Sequence, residues 1–139
     1  MRVMAVDYGD TRTGLAVSDA SGTLVGEAWV VTEKSQKAAA QKITAEARAR
    51  GVNTIVVGYP KNMDGSAGFR AEKSERLATF LRAECDIEIV LWDERMTTVS
   101  AHRILSETGR YGKKRKKTVD AVAAALILEN YLHFLKQSH

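Results

Sequence analysis

One cysteine, Cys85, is all that the 139 residues carry, and it cannot close an internal bridge. A disulfide scaffold is excluded, and a reducing compartment is the straightforward reading. No apolar run approaches the roughly 20 residues of a membrane span. The N-terminal apolar run is only about five residues long and stops at Asp7, which is not the layout of a signal peptide. We therefore expect a cytoplasmic protein with no membrane partner. His102, His133 and His139 lack metal-ligand spacing and read as surface residues. No Cys–His or Ser–His–Asp arrangement can be argued, and no Gly-Lys-Ser/Thr completes a P-loop. Internal repeats and linkers are also missing, so residues 1–139 read as a single domain. A chain of this size buries roughly two-thirds of its unfolded surface, enough for a core without a structural metal.

Charge is present but uneven. The net charge is +4, yet residues 113–117 read Lys113-Lys114-Arg115-Lys116-Lys117. Without that run, 16 basic residues face 17 acidic ones. The basicity is one local cluster, the electrostatic footprint of a phosphate-binding surface. A solvated turn is the plainer alternative.

The stretch Arg2-Val3-Met4-Ala5-Val6 is apolar at both parities, as in a strand covered on both faces. It ends in Asp7. A second strand, 15–18, and a third, 23–31, follow across short connections, predicting an antiparallel meander. Residues 33–50 predict a helix with Ala39, Ile43 and Ala47 on its inner stripe and Gly51 as its stop. A short β-branched strand over 52–57 closes at Gly58-Tyr59-Pro60, and Asp64-Gly65 has turn chemistry. A helix over 67–84 should turn Phe69, Leu77, Phe80 and Leu81 inward. The fifth strand, 87–92, runs into Asp93-Glu94-Arg95. A helix capped by Thr97 or Thr98 extends to about Glu107. A basic loop over 109–117 then leads to a last helix, capped by Thr118 and ending near Lys136. The result is an α/β fold: a mixed five-stranded sheet, a three-strand antiparallel meander plus two parallel strands, flanked by helices.

Three acidic positions stand out. Asp7 ends the first strand, Asp93 and Glu94 end the fifth, and Asp120 lies among alanines and valines early in the last helix. If strands one, four and five are parallel, their carboxyl ends share the rim where open α/β sheets place ligands. Carboxylates gathered there would repel one another unless a divalent cation joined them, and oxygen ligands suit Mg²⁺ or Mn²⁺. Two such ions roughly 4 Å apart serve phosphodiester cleavage. Each acid also has a plainer role. Asp7 could accept backbone donors in its turn. Asp93 and Glu94 could pair with Arg95 or Lys73. Asp120 could complement a helix dipole. Asp7-x-Gly9-x-x-x-x-Gly14 is similar to a phosphate-binding hairpin. Tyr8, Tyr59 and Tyr111 fall in rim loops and could stack on bases.

Together these motifs resemble the YqgF, or RuvX-like, family. The resemblance rests on Asp7-Tyr8-Gly9 with Arg12 and Gly14, Gly58-Tyr59-Pro60 with Asn62-Met63-Asp64-Gly65-Ser66, Asp93-Glu94-Arg95 with Thr97-Thr98, and Lys117 with Asp120-Ala121 and Ala123-Ala124. It runs through the whole chain. Members are described as Holliday-junction resolvases and as pre-16S rRNA nucleases. The resemblance implies an RNase H-like fold and a cytoplasmic hydrolase acting in ribosomal RNA maturation. It also implies divalent-metal catalysis by carboxylates at Asp7, Glu94 and Asp120, with Glu94 preferred over Asp93. Resolvases of the RuvC type carry two acids three residues apart on the last helix, whereas here Ala123 follows Asp120.

The resulting expectation is a nuclease on RNA or branched DNA, with Arg12 and Lys113 to Lys117 gripping the backbone without reading sequence. A junction resolvase would need two sites and hence a homodimer, whereas an RNA-processing enzyme could be a monomer. A rival class is a nucleic-acid-binding module with little catalysis, acting through a ribosomal or transcription partner. A phosphotransferase of the sugar-kinase type also begins with an Asp-x-Gly turn, but it closes two domains around its nucleotide.

Overall fold

The computed structural model describes residues 1–60, 68–93 and 112–137, without the side chains of 112–118. The elements are β1 (Val3–Asp7), β2 (Arg12–Ser18), β3 (Val25–Thr32), α1 (Gln36–Ala49), β4 (Thr54–Tyr59), α2 (Phe69–Glu84), β5 (Glu88–Asp93) and α3 (Gly112–Gln137). The sheet order is β3-β2-β1-β4-β5. β1 is antiparallel to β2 and parallel to β4, β2 is antiparallel to β3, and β4 is parallel to β5. The expected mixed five-stranded sheet is therefore present.

β1 lies at the centre because both its faces are apolar, and Val3, Met4, Ala5 and Val6 are fully buried. Met4 and Val6 point to α1 and α2, packing with Ile55, Val57, Ile43 and Leu77. Val3 and Ala5 point to α3, packing with Val56, Trp92, Ile127 and Leu128. Trp92 meets Tyr131 edge to face at 5.4 Å, locking the end of β5 onto α3. The two cores thus follow the strand alternation directly.

α1 begins at Gln36 because the Ser35 hydroxyl accepts the N–H of Ala38 at 3.1 Å. Ala39, Ile43 and Ala47 are buried as expected, and Gly51 terminates the helix at φ +66°. The turn after β2 is held by Asp19, whose carboxylate accepts the N–H of Thr23 and the hydroxyl of Ser21, each at 2.9 Å. The Thr23 bond is the main force pulling the Asp19 carboxyl below its ordinary range.

Two expectations are corrected. Phe69 and Phe80 do not face the core; Phe69 is 68 % exposed, with Lys73 Nζ 4.5 Å from its ring centroid. The inner stripe of α2 is Ala71, Ser74, Leu77, Ala78 and Leu81, where small residues permit close approach to the sheet. The last helix starts at Gly112 rather than at Thr118, so the basic run is helical backbone and not a loop. Lysine and arginine are good helix formers, and a dense run of them need not interrupt a helix. The helix expected after Thr97 or Thr98 and the turn at Asp64-Gly65 lie outside the described residues.

Leu77 is fully buried between α2 and the sheet. Leu77→Ala should cost about 2–5 kcal/mol in urea unfolding, through lost contact and a residual cavity.

Candidate active site

The carboxyl ends of the three parallel strands share one rim. β1 ends at Asp7, β4 at Tyr59, and Tyr59 pairs in register with Asp93 of β5. Asp7 has the parity of Val3 and Ala5, which places it on the α3 face. Asp93 has the parity of Ile89 and Leu91, which belong to the opposite core. Asp7 and Asp93 therefore share a rim but not a face.

α3 brings Asp120 to Asp7 through Gly14. Across the β1–β2 ladder Gly14 is the partner of Asp7, and on its other side it pairs with Val30. A Cβ at Gly14 would lie 2.0 Å from the carbonyl oxygen of Asp120 and 2.6 Å from its carbonyl carbon. Only hydrogen at that position lets the helix backbone rest on the strand. Gly14 was a candidate for an anion-binding hairpin; in the fold it is a strand residue whose missing side chain seats α3.

Asp7 and Asp120 line one cleft of about 310 Å³ with Tyr8, Pro60, Arg70 and Ser74. Two larger depressions, of about 600 and 420 Å³, lie along α3 and β3. Of these three, the 310 Å³ cleft is the one lined by two carboxylates, Asp7 and Asp120. Arg12, at the start of β2, donates from Nε to Asp120 Oδ2 at 3.1 Å. Arg12 is thus engaged in holding an acid. The side chains are 42 % and 25 % exposed, so the pair is partly solvated.

The cleft wall is tied to the sheet at two places. Lys73 of α2 pairs with Asp10 of the β1–β2 connection at 2.5 Å. The Tyr59 hydroxyl donates to Glu75 in a short hydrogen bond. Burial raises the Tyr8 phenol above its ordinary value, and the nearby Asp10 charge acts in the same direction, so Tyr8 stays a neutral hydrogen-bonding group.

Glu94 and Tyr111 lie outside the described residues, as do the side chains of Lys113, Lys114, Arg115, Lys116 and Lys117. Among the described residues no three histidine, cysteine, aspartate or glutamate side chains converge as a metal site. Of the expected triad, Asp7 and Asp120 share the cleft. Arg70 and Ser74 were not singled out from sequence. Their signal, a polar residue where an amphipathic helix begins, is too common to single them out. No helix among the described residues is long and apolar enough to cross a membrane.

A family model described as "RuvX: Holliday junction resolvase" matches residues 1–134. The chain belongs to the RuvX family. A relative from Halothermothrix orenii is 42 % identical over 139 residues, covering 100 % of this chain and 99 % of that one. Another, from Geobacillus thermodenitrificans, is 45 % identical over 134 residues, covering 95 % and 97 %. Both carry the name "Putative pre-16S rRNA nuclease". Thermus thermophilus RuvC in complex with a Holliday junction substrate aligns with a TM-score of 0.59 at 15 % identity, covering 96 % of each chain. The fowlpox virus resolvase bound to Holliday junction DNA aligns at 0.57 and 13 %, covering 97 % of this chain and 99 % of the other. At such identities the likeness is one of fold, and it bears out the RNase H-like architecture expected for RuvX.

Proposed function

We propose that this RuvX chain is a divalent-metal-dependent nuclease, a single domain over 1–139, that processes the precursor of small-subunit ribosomal RNA in the cytoplasm. The observation that carries the reading is the convergence of Asp7 and Asp120 in one cleft at the carboxyl rim of the sheet. The names of its close relatives point to the same substrate.

The cleft suits a hard divalent cation. Asp7 and Asp120 offer carboxylate oxygens, and a guanidinium already rests against Asp120 where a cation would be favourable. Asp7, Asp120 and Glu94 would hold Mg²⁺ or Mn²⁺. Glu94 is preferred because Asp93 has the parity of the opposite core. Bound there, the ion would supply Lewis-acid stabilisation of a phosphodiester under attack by water. The chain's own part is positional. The Gly14 seat fixes α3, Arg12 orients Asp120, and the basic run Lys113 to Lys117 enters the same helix one turn earlier. A ribosomal or transcription partner could present the precursor to this face.

Junction resolution is the second reading, and the description of the RuvX family model favours it. It requires the same chemistry from two copies arranged as a dimer. One experiment separates the two. Single-stranded RNA, a structured ribosomal RNA precursor and a four-way DNA junction are incubated with Mg²⁺, Mn²⁺ or EDTA. The expected outcome is cleavage of the RNA precursor that EDTA abolishes. Preferential cutting of the junction by a dimer would replace the first reading with the second. EDTA-resistant cleavage would remove the metal assignment.

A further inference from the structure

The cleft contains a cation that neither the sequence motifs nor the acid pair accounts for. Arg70 is the second residue of α2, is exposed, and lines the cleft with Asp7 and Asp120. Its guanidinium makes no ion pair or hydrogen bond with another described residue. Arg12 differs, since its Nε is spent on Asp120. Of the two arginines described at the site, one is held by an acid and the other has no acidic partner among the described residues.

The root of Arg70 is fixed. Ser74, 4 % exposed, donates from its hydroxyl to the Arg70 carbonyl at 3.3 Å, within the first turns of α2. Lys73–Asp10 and Tyr59–Glu75 tie those turns to the β1–β2 connection and to the end of β4. The preceding cap, Gly68, supplies no side-chain hydrogen bond, so the amide end of the helix adds its partial positive charge on the same side.

We propose that Arg70 is the phosphate-positioning residue of this site, contacting a phosphate of the bound strand, while Arg12 serves as the holder of Asp120. The inference rests on the nuclease reading for its reaction but concerns binding, which is measured separately. A strand entering a cleft with two carboxylates meets repulsion at its own phosphates. A planar guanidinium lining the same cleft counters that repulsion and fixes the strand through two parallel N–H···O bonds. A contact of this kind acts on ground state and transition state alike, so its loss appears in KM rather than in kcat.

The test uses a fluorescein-labelled single-stranded RNA and the full chain. Arg70→Gln is expected to weaken binding by about tenfold in fluorescence anisotropy, as for one charge-assisted contact. It should also reduce the slope of log K against log salt by about one. In cleavage assays KM rises by a similar factor while kcat is kept. Arg70→Lys restores the salt slope but only part of the affinity, because an ammonium ion lacks the fork. Arg12→Gln shows the reverse split, with kcat lowered and KM kept. Arg70 is exposed, so the variants should unfold at the wild-type temperature, and the lysine variant serves should glutamine disturb folding. Unchanged affinity and salt slope in Arg70→Gln would overturn the proposal, as would a loss confined to kcat. A wild type that cuts no substrate would overturn the nuclease reading alone, since the binding measurements still decide the role of Arg70.

Discussion

In the Asp7→Asn variant, metal-dependent cleavage should fall by about a thousandfold, the rate equivalent of losing several kcal/mol of charge stabilisation at a metal-bearing site. Binding of single-stranded RNA should persist. The substitution keeps the size of the side chain and removes only its charge, at the end of a strand whose other residues are fully buried. The β1 ladder to β2 and β4 is made by backbone, so the sheet is retained. A parallel measurement of anisotropy and of product formation separates the outcomes. Cleavage lost with binding kept identifies a carboxylate that acts in the reaction. Equal cleavage by both proteins would point to a contaminant or to a binding module, and Asp7 would lose its assignment.

Gly14→Ala should be as damaging to activity without touching a single charged group. A methyl at that position meets the Asp120 carbonyl at 2.0 Å, and both partners are main chain within regular elements. Neither a rotamer change nor a flexible tip can relieve the overlap, so α3 must shift. We expect a loss of about 3 kcal/mol in unfolding free energy, at the upper end for overpacking, and a drop in Tm of roughly 10 °C. Cleavage should fall with it, because Asp120 leaves Asp7. Thermal unfolding followed by circular dichroism, alongside the cleavage assay, checks both effects. An alanine variant with wild-type Tm and full activity would show that the close approach has no bearing on the site.

These two residues mark what could be read from sequence. Asp7 was legible because Val3 to Val6 are apolar at both parities, so an acid at their end had to be exceptional. The stripe Ala39, Ile43, Ala47 was legible for the same local reason: a period of 3.6 needs no knowledge of the partner. Gly14 was visible as a glycine but not as the seat of α3, because its constraint comes from Asp120 in a helix far along the chain. An apolar Phe69 on a helix points inward by composition alone, yet it is exposed. The packing distance between α2 and the sheet instead selects Ala71 and Ser74, and that distance is set by the fold. Charge density in the basic run suggests a loop, whereas intrinsic propensity allows the helix that is found there. Arg70 carries only the signal of a polar residue at a helix start, which countless surface residues share.

The docking of α3 on Gly14 has a consequence for the order of events in biosynthesis. Asp7 lies in β1, which leaves the ribosome well before the α3 that carries Asp120. β1 also pairs with β4, so the parallel half of the sheet is joined to the meander through contacts distant in sequence. Such contacts form late, after loop-closure entropy has been overcome. Until α3 lands, the face bearing Ala5, Val56 and Trp92 is open and the acids are apart. On the proposed nuclease reading, competence is therefore coupled to the docking of α3, and a chain made only as far as β5 has an exposed apolar sheet face but not yet the acid pair assembled.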